Sequence, residues 1–275
     1  GTPDLEFAVV ALLARTQLDS GRAQDARQTL MTLRERFEAA GHTRFLGNLD
    51  AMLCRTEMYL GNDTETDIWY REKAPKNPQE LNLLLRYQYI TQAMAELALG
   101  DEDAAQLTLA PLEPYCEACS RYLDSISLNT LRAIARSRQK DREWKKDMKR
   151  ALDTASEFGF IRPLSQYGSA VLPLIQGCGW TGHTAYREKL LAAAQEQAVL
   201  YPDFLRPRRQ MTGPLSATEK QVLRLICADK SNAEIGEVMG IKLATVKVHV
   251  SHILIKLNVN RRSEAKTAAE KLRLI

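Results

Sequence analysis

The sequence predicts an all-α protein in two modules, an α-solenoid of helical hairpins followed by a four-helix domain. Three observations predict it: polar turns recurring about every forty residues, a proline-rich break after residue 200, and two helix N-terminal signatures within nineteen residues beyond that break.

The repeat occupies residues 1–200. Turn glycines fall at Gly21, Gly61 and Gly100, and Lys140 stands at the matching place in a fourth polar turn. Seven residues before each turn sits a small residue (Ala14, Cys54, Ala93 and Ala133), where the two helices of a hairpin can approach closely. Ala26, Thr66 and Ala105 serve the partner helix in the same way, and Lys145 breaks that column. Leu18, Met58 and Leu97 form a third column, broken by Ser137. Units of helix, polar turn and helix bury their apolar faces only by stacking on neighbours, which defines a solenoid with a groove for a peptide, a protein or a small molecule. Trp69, Tyr70, Tyr87, Tyr89, Tyr122, Trp144, Phe158, Phe160 and Tyr167 are candidates for lining that groove, although such rings more often fill a core.

Residues 201–213 read as a linker. Pro202 and Pro207, then Gly213 and Pro214, interrupt any helix there.

Residues 214–275 read as four helices. Ser216 to Glu219 and Ser231 to Glu234 are capping boxes, in which Ser accepts from the backbone N–H three residues on and Glu reaches back. The first helix buries Val222, Leu223, Leu225 and Ile226; the second buries Ile235, Val238 and Met239 and ends at Gly240. From Thr245 to Val250 the alternation and β-branching argue locally for a strand. The wider window overrides it: Val246, Val250, Ile253, Leu254 and Leu257 lie three or four apart, one face of a helix running from about Lys242 to Leu257. Asn258 to Asn260 end it, and Ser263 opens a last helix carrying Ala265, Ala268, Ala269 and Leu272.

Charge divides along the same boundary. The chain carries a net +4, but residues 206–275 hold fourteen Lys and Arg against six Asp and Glu, a net +8, leaving −4 on residues 1–205. A basic module on an acidic body points to a polyanion partner for the module. The short capped helix, turn and second helix with a polar, basic outer face form a helix-turn-helix, which sets the second helix in the major groove of double-stranded DNA. With 246, 250, 253 and 257 inward, Lys247, Val248 and Ser251 face outward. Lys can donate to guanine, Val can pack on a thymine methyl, and Ser can serve base or phosphate. Lys242 and Thr245, at the helix start, suit a phosphate.

Several classes are excluded. Hydrophobic residues at 45% and charged residues at 26% describe an ordinary globular chain. No run of about 18 apolar residues predicts a membrane span, and no leader is visible, so a cytoplasmic location is expected. Five cysteines without framework spacing read as reduced thiols, and the lone pair Cys116 and Cys119 lacks further ligands for zinc. No nucleophile, base and orienting group assemble, so neither an enzyme nor a cofactor is expected in this chain.

The stretches LSATEKQVLRLI (215–226), SNAEIGEVMGI (231–241), TVKVHVSHI (245–253) and KLNV (256–259) resemble the LuxR-type DNA-binding domain of bacterial transcription regulators. The resemblance covers 215–275 and includes Glu219, Asn232, Glu234, Ile235, Gly240, Thr245, Val246, Lys247, His249, Leu257 and Val259. It implies four helices, base contacts from Lys247, Val248 and Ser251, and phosphate contacts around Thr245. Ser231, Asn232, Lys242 and His252 complete the DNA-binding set, with His249 structural. It also implies dimerisation on DNA through the last helix, by Ala265, Ala268, Ala269 and Leu272, with RNA polymerase as a candidate partner. Three positions depart from the family: Lys242 replaces a capping Ser or Thr, Leu243 a polar residue or Pro, and Ile255 a polar residue. The hairpins resemble tetratricopeptide repeats, whose usual period is about 34 residues. Together with the segment 151–175, they resemble the C-terminal half of maltose-regulator-like LuxR proteins, whose branch places a P-loop ATPase in front. No GxxxxGK[ST] occurs here, so the resemblance leaves two readings, a branch without the ATPase or, the favoured one, a fragment whose preceding domain would bind ATP. The implied function is a sequence-specific transcriptional regulator whose repeat domain senses an effector or partner and controls self-association. The rival is a repeat scaffold for protein interaction with a basic DNA anchor.

Overall fold

The computed structural model describes residues 2–75, 81–206, 215–257, 259, 261–272 and 274. It forms two compact bodies, residues 1–206 and 207–275. Residues 207–210 and 211–213 of the sequence-predicted linker, and Asn258 and Asn260, lie outside the described residues, as does the side chain of Ile255.

The first body contains α1 (Pro3–Asp19), α2 (Ala23–Ala39), α3 (Leu46–Tyr59), α4 (Asp63–Glu72), α5 (Arg86–Leu99), α6 (Glu102–Leu109), α7 (Leu112–Ala118), α8 (Tyr122–Arg138), α9 (Trp144–Glu157), α10 (Arg162–Ser165), α11 (Leu172–Gly177) and α12 (Thr184–Leu200). Four hairpins carry the repeat: α1 with α2, α3 with α4, α5 with α6, and α8 with α9. Each turns through a left-handed residue at the position that the spacing marks, Gly21 (φ 76°), Gly61 (φ 68°), Gly100 (φ 83°) and Lys140 (φ 61°). Lys140 reaches this conformation with a Cβ, at a cost of roughly 1–2 kcal/mol that a glycine avoids.

The small-residue columns are buried. Ala14, Cys54, Ala93 and Ala133, with Ala26, Thr66 and Ala105, lie in the core beside Leu18, Met58 and Leu97. Lys145 is exposed at the start of α9, and Met148 and Leu152 take the inner face of that helix. A short extra helix, α7, separates the third hairpin from the fourth. It buries Cys116, leaves Cys119 exposed, and is tied to its neighbours by charge. Arg132 on α8 reaches Glu113 on α7 (2.6 Å) and Asp147 on α9 (2.9 Å), and Asp147 also binds Arg136 (2.7 Å). Asp147 is buried, so its two guanidinium partners offset its desolvation.

The first residues expected in the linker belong to this body. Tyr201, Phe204 and Leu205 are buried, with Phe204 stacked on Tyr59 at 3.9 Å. The Tyr201 hydroxyl donates to the Leu18 carbonyl (2.8 Å) and Gln197 donates to the Asp19 carbonyl (3.3 Å). Arg138 donates to the Leu205 carbonyl. Proline stops the helix at residue 200 as the composition demands, but the aromatic rings that follow find apolar surface at once.

The second body contains α13 (Ala217–Cys227), α14 (Asn232–Met239), α15 (Leu243–Lys256) and α16 (Arg262–Lys271). Its own core joins Leu215, Val222, Leu223, Ile226, Ile235, Val246, Val250, Ile253, Leu257 and Val259 to Ala265, Ala268 and Ala269. Val238, expected inward, is 64% exposed.

Candidate nucleic-acid interface

Two capping boxes fix the frame of the second body. Ser216 Oγ accepts from the Glu219 N–H (3.2 Å), and the Ser216 N–H donates to Glu219 Oε2 (2.7 Å). Ser231 and Glu234 repeat the pattern at 3.3 and 2.7 Å. Glu219 does a second job, because Lys256 Nζ donates to the same Oε2 (2.7 Å), which ties the end of α15 to the start of α13. That Lys256 hydrogen bond, with those from Ser216, holds the Glu219 carboxyl at about 2.

The turn between α14 and α15 rests on two glycines. Gly240 is left-handed (φ 66°) and ends α14, and the following Ile241 N–H donates back to the Gly236 carbonyl (3.0 Å). A Cβ on Gly236 would lie 2.9 Å from the Ile241 carbonyl oxygen, so the turn folds onto α14 only because that position has no side chain. Gly236 was not singled out from the sequence; a glycine in the middle of an eight-residue helix, four residues before the one that ends it, is the signal that marks it.

Thr245 to Val250 are helical, so the three-and-four spacing overrides the local strand signal. Val246, Val250, Ile253 and Leu257 are buried, and Lys242, Thr245, Lys247, Val248, Ser251 and His252 are exposed. His249 and Leu254 are half-buried beside the inner stripe. The Lys242 carbonyl accepts from the Thr245 and Val246 N–H groups (2.9 and 3.1 Å), so Lys242 stands where the helix begins. Neither Lys242 nor Lys247 has a salt-bridge partner among the described residues, which leaves both ammonium groups for a ligand.

The structure places the other expected DNA contacts differently. Ser231 is exposed, but its hydroxyl caps α14. Asn232 is half-buried, and its Oδ1 accepts from Arg262 Nη1 on α16 (2.8 Å). Arg262 also donates to the Lys230 carbonyl, so Asn232 sits in a brace between α14 and α16. The last helix requires a correction. Ala265, Ala268 and Ala269, expected to join two copies, are buried within this body where α16 packs on α13, and Leu272 is partly buried against the same core. Small residues let helices approach closely, and here the helix approached is the module's own α13.

A helix-turn-helix with a rigid buried stripe and unpaired cations on the opposite face defines a DNA-binding module of the regulatory-protein class. The luxR family of bacterial regulatory proteins matches residues 213–269, and the family of MalT-like TPR regions matches residues 2–177. The chain belongs to the MalT-like TPR-region family and carries a luxR-type DNA-binding domain behind it. It is similar to the HTH-type transcriptional regulator MalT of Klebsiella pneumoniae subsp. pneumoniae, 26% identical over 98% of this chain and 32% of the relative. The protein of the same name from Vibrio campbellii is 23% identical over the same shares. The chain therefore spans about a third of the length of these curated relatives. No solved structure matches it. Among the described residues no helix is long and apolar enough to cross a membrane.

Proposed function

We propose that the chain is the sensing and DNA-reading part of a sequence-specific transcriptional regulator. In this reading α15 enters the major groove, and Lys247, Val248 and Ser251 read base edges. Lys242, Thr245 and His252 take phosphates, with the Ser231 hydroxyl proton and the Asn232 N–H at the start of α14 as a further phosphate contact. The observation that carries the reading is the division of α15 into a buried stripe (246, 250, 253, 257) and an exposed face bearing Lys247 beside Val248 and Ser251.

The helical-repeat body senses an effector or a partner and controls self-association. Assembly then lines up two or more DNA-binding modules on repeated half-sites, so that avidity raises affinity without new base contacts. Because the small-residue stripe of α16 is spent inside the module, a contact between modules uses the outer face of that helix. RNA polymerase is the partner expected next on the promoter. The test is retention of one duplex from a random pool in excess nonspecific competitor. An enriched sequence supports the reading, and retention without preference overturns it.

A further inference from the structure

The first helices of the four hairpins, with α10, line a cavity of about 450 Å³. Small-molecule sites run from roughly 300 to 1,000 Å³. Aliphatic side chains, among them Leu12, Met52, Ile90 and Met94, form much of its wall. Three guanidinium groups also line it, those of Arg15, Arg55 and Arg162, against one lining carboxylate, Asp124.

The charges do not cancel locally. Asp124 is already held by Arg121 (3.0 Å) and Arg86 (3.4 Å), neither of which lines the cavity. Arg162 spends its Nε on Asp19 (2.6 Å), and its Nη2 has no hydrogen bond among the described residues. Arg55 places its Cζ over the Tyr87 ring, 3.9 Å from the centroid, with Nε on Thr91 Oγ1 (2.7 Å) and Nη2 on the Tyr87 carbonyl (3.3 Å). Five N–H groups on each guanidinium mean that both retain donors. The Arg15 side chain has no hydrogen bond or ion pair among the described residues. Partial desolvation first, and then the charge of Arg162, lower its pKa against the opposing pull of Asp19, while the residue stays open to solvent. An anion placed between these groups opposes that lowering.

We infer that this cavity binds a small amphiphilic anion, a carboxylate or phosphate carried on an apolar body, with Arg15, Arg55 and Arg162 around the anionic group and the aliphatic wall around the rest. Both anions match the planar donor fork of arginine, and the volume admits a small molecule and not a folded partner. The inference deepens the effector-sensing reading and rests on it for its regulatory consequence alone.

The test uses the full chain and three probes, 1-naphthyl phosphate, 1-naphthoate and the uncharged 1-naphthalenemethanol, followed by naphthyl fluorescence anisotropy. Both anions should saturate a single site and bind at least about tenfold more tightly than the alcohol, the worth of one or two charged hydrogen bonds. Whichever anion binds more tightly names the headgroup. Arg15→Gln should weaken both anions by about tenfold and leave the alcohol and the unfolding midpoint unchanged, because no protein partner is lost. Arg55→Lys, which keeps the charge and removes the fork, should weaken them as well. Equal binding of alcohol and anions, or anion affinity untouched in both variants, overturns the inference. Sedimentation of the same samples separates the two readings. Arginine-dependent binding with unchanged self-association keeps the anion site and overturns its role as the sensor; a shift in self-association supports both.

Discussion

The two bodies of this chain fold by different bookkeeping of their helix ends. In the second, α13 and α14 each close their N-termini with a complete capping box, and Gly240 closes α14 at the other end. In the first, α6 alone among the α-helices described takes a side-chain N-cap, from Asp101. Its hairpins are held by stacked small residues instead. A module that must present one helix rigidly to a ligand carries its instructions locally, whereas a repeat array stores them in columns spread over neighbours.

The comparison can be broken at its strongest point first. Ile253→Ala deletes a fully buried side chain of the second body and should cost about 2–5 kcal/mol. Calorimetry should show the transition of that body falling while that of the repeat body stays in place; joint loss of both would show that they are one cooperative unit. Next, Lys247→Ala should weaken binding to the preferred duplex by about 1–3 kcal/mol and relax preference at one base pair. Undiminished affinity and preference would remove that face of α15 from the interface. Ser216→Ala, which opens a capping box, should cost about 1 kcal/mol, and Asp101→Ala should do the same to the repeat body. A negligible effect of Ser216→Ala would dissolve the contrast between the bodies.

Acid should act on the second body through Glu219. Its folded carboxyl, held at about 2 against an ordinary 4.5, stabilises above the ordinary value, and that contribution fades as pH falls from about 4.5 toward 2. Thermal midpoints across that range should decline less steeply in Glu219→Gln. The smallest effect is expected of Lys242→Ala, which should weaken all duplexes alike and reduce the slope of affinity against salt by about one. A changed preference at a single base would make Lys242 a reader.

The legibility of each body follows the same contrast. Capping boxes, Gly240 and the 246/250/253/257 stripe are local patterns, and each was readable at its own position. The hairpins were readable because Gly21, Gly61 and Gly100 recur with their small partners. Helices α7 and α10 to α12 repeat nothing, so no column marked them. Ala265, Ala268 and Ala269 were misassigned because a small-residue stripe states that something packs closely without stating what. Asn232 looks like a polar DNA contact until Arg262, thirty residues away, is brought beside it. The cavity had a signal that went unread: Arg15 and Arg55 stand forty apart, each just after a column residue, and Met94 holds the same place in the next repeat. Arginine on an amphipathic helix reads as solvated surface until the stacking shows which face turns inward.

The contacts of Tyr201 and Gln197 with the α1 turn, and of Arg162 with Asp19, have a kinetic consequence. An open array of hairpins can nucleate anywhere and fray from either end, since each unit answers only to its neighbours. Here the chain's residues 162–201 must find residues 18 and 19, closing loops of 143 to 183 residues. Loop closure of that length is slow and comes late, so the first body should complete its folding in one concerted step and resist unravelling from its amino end.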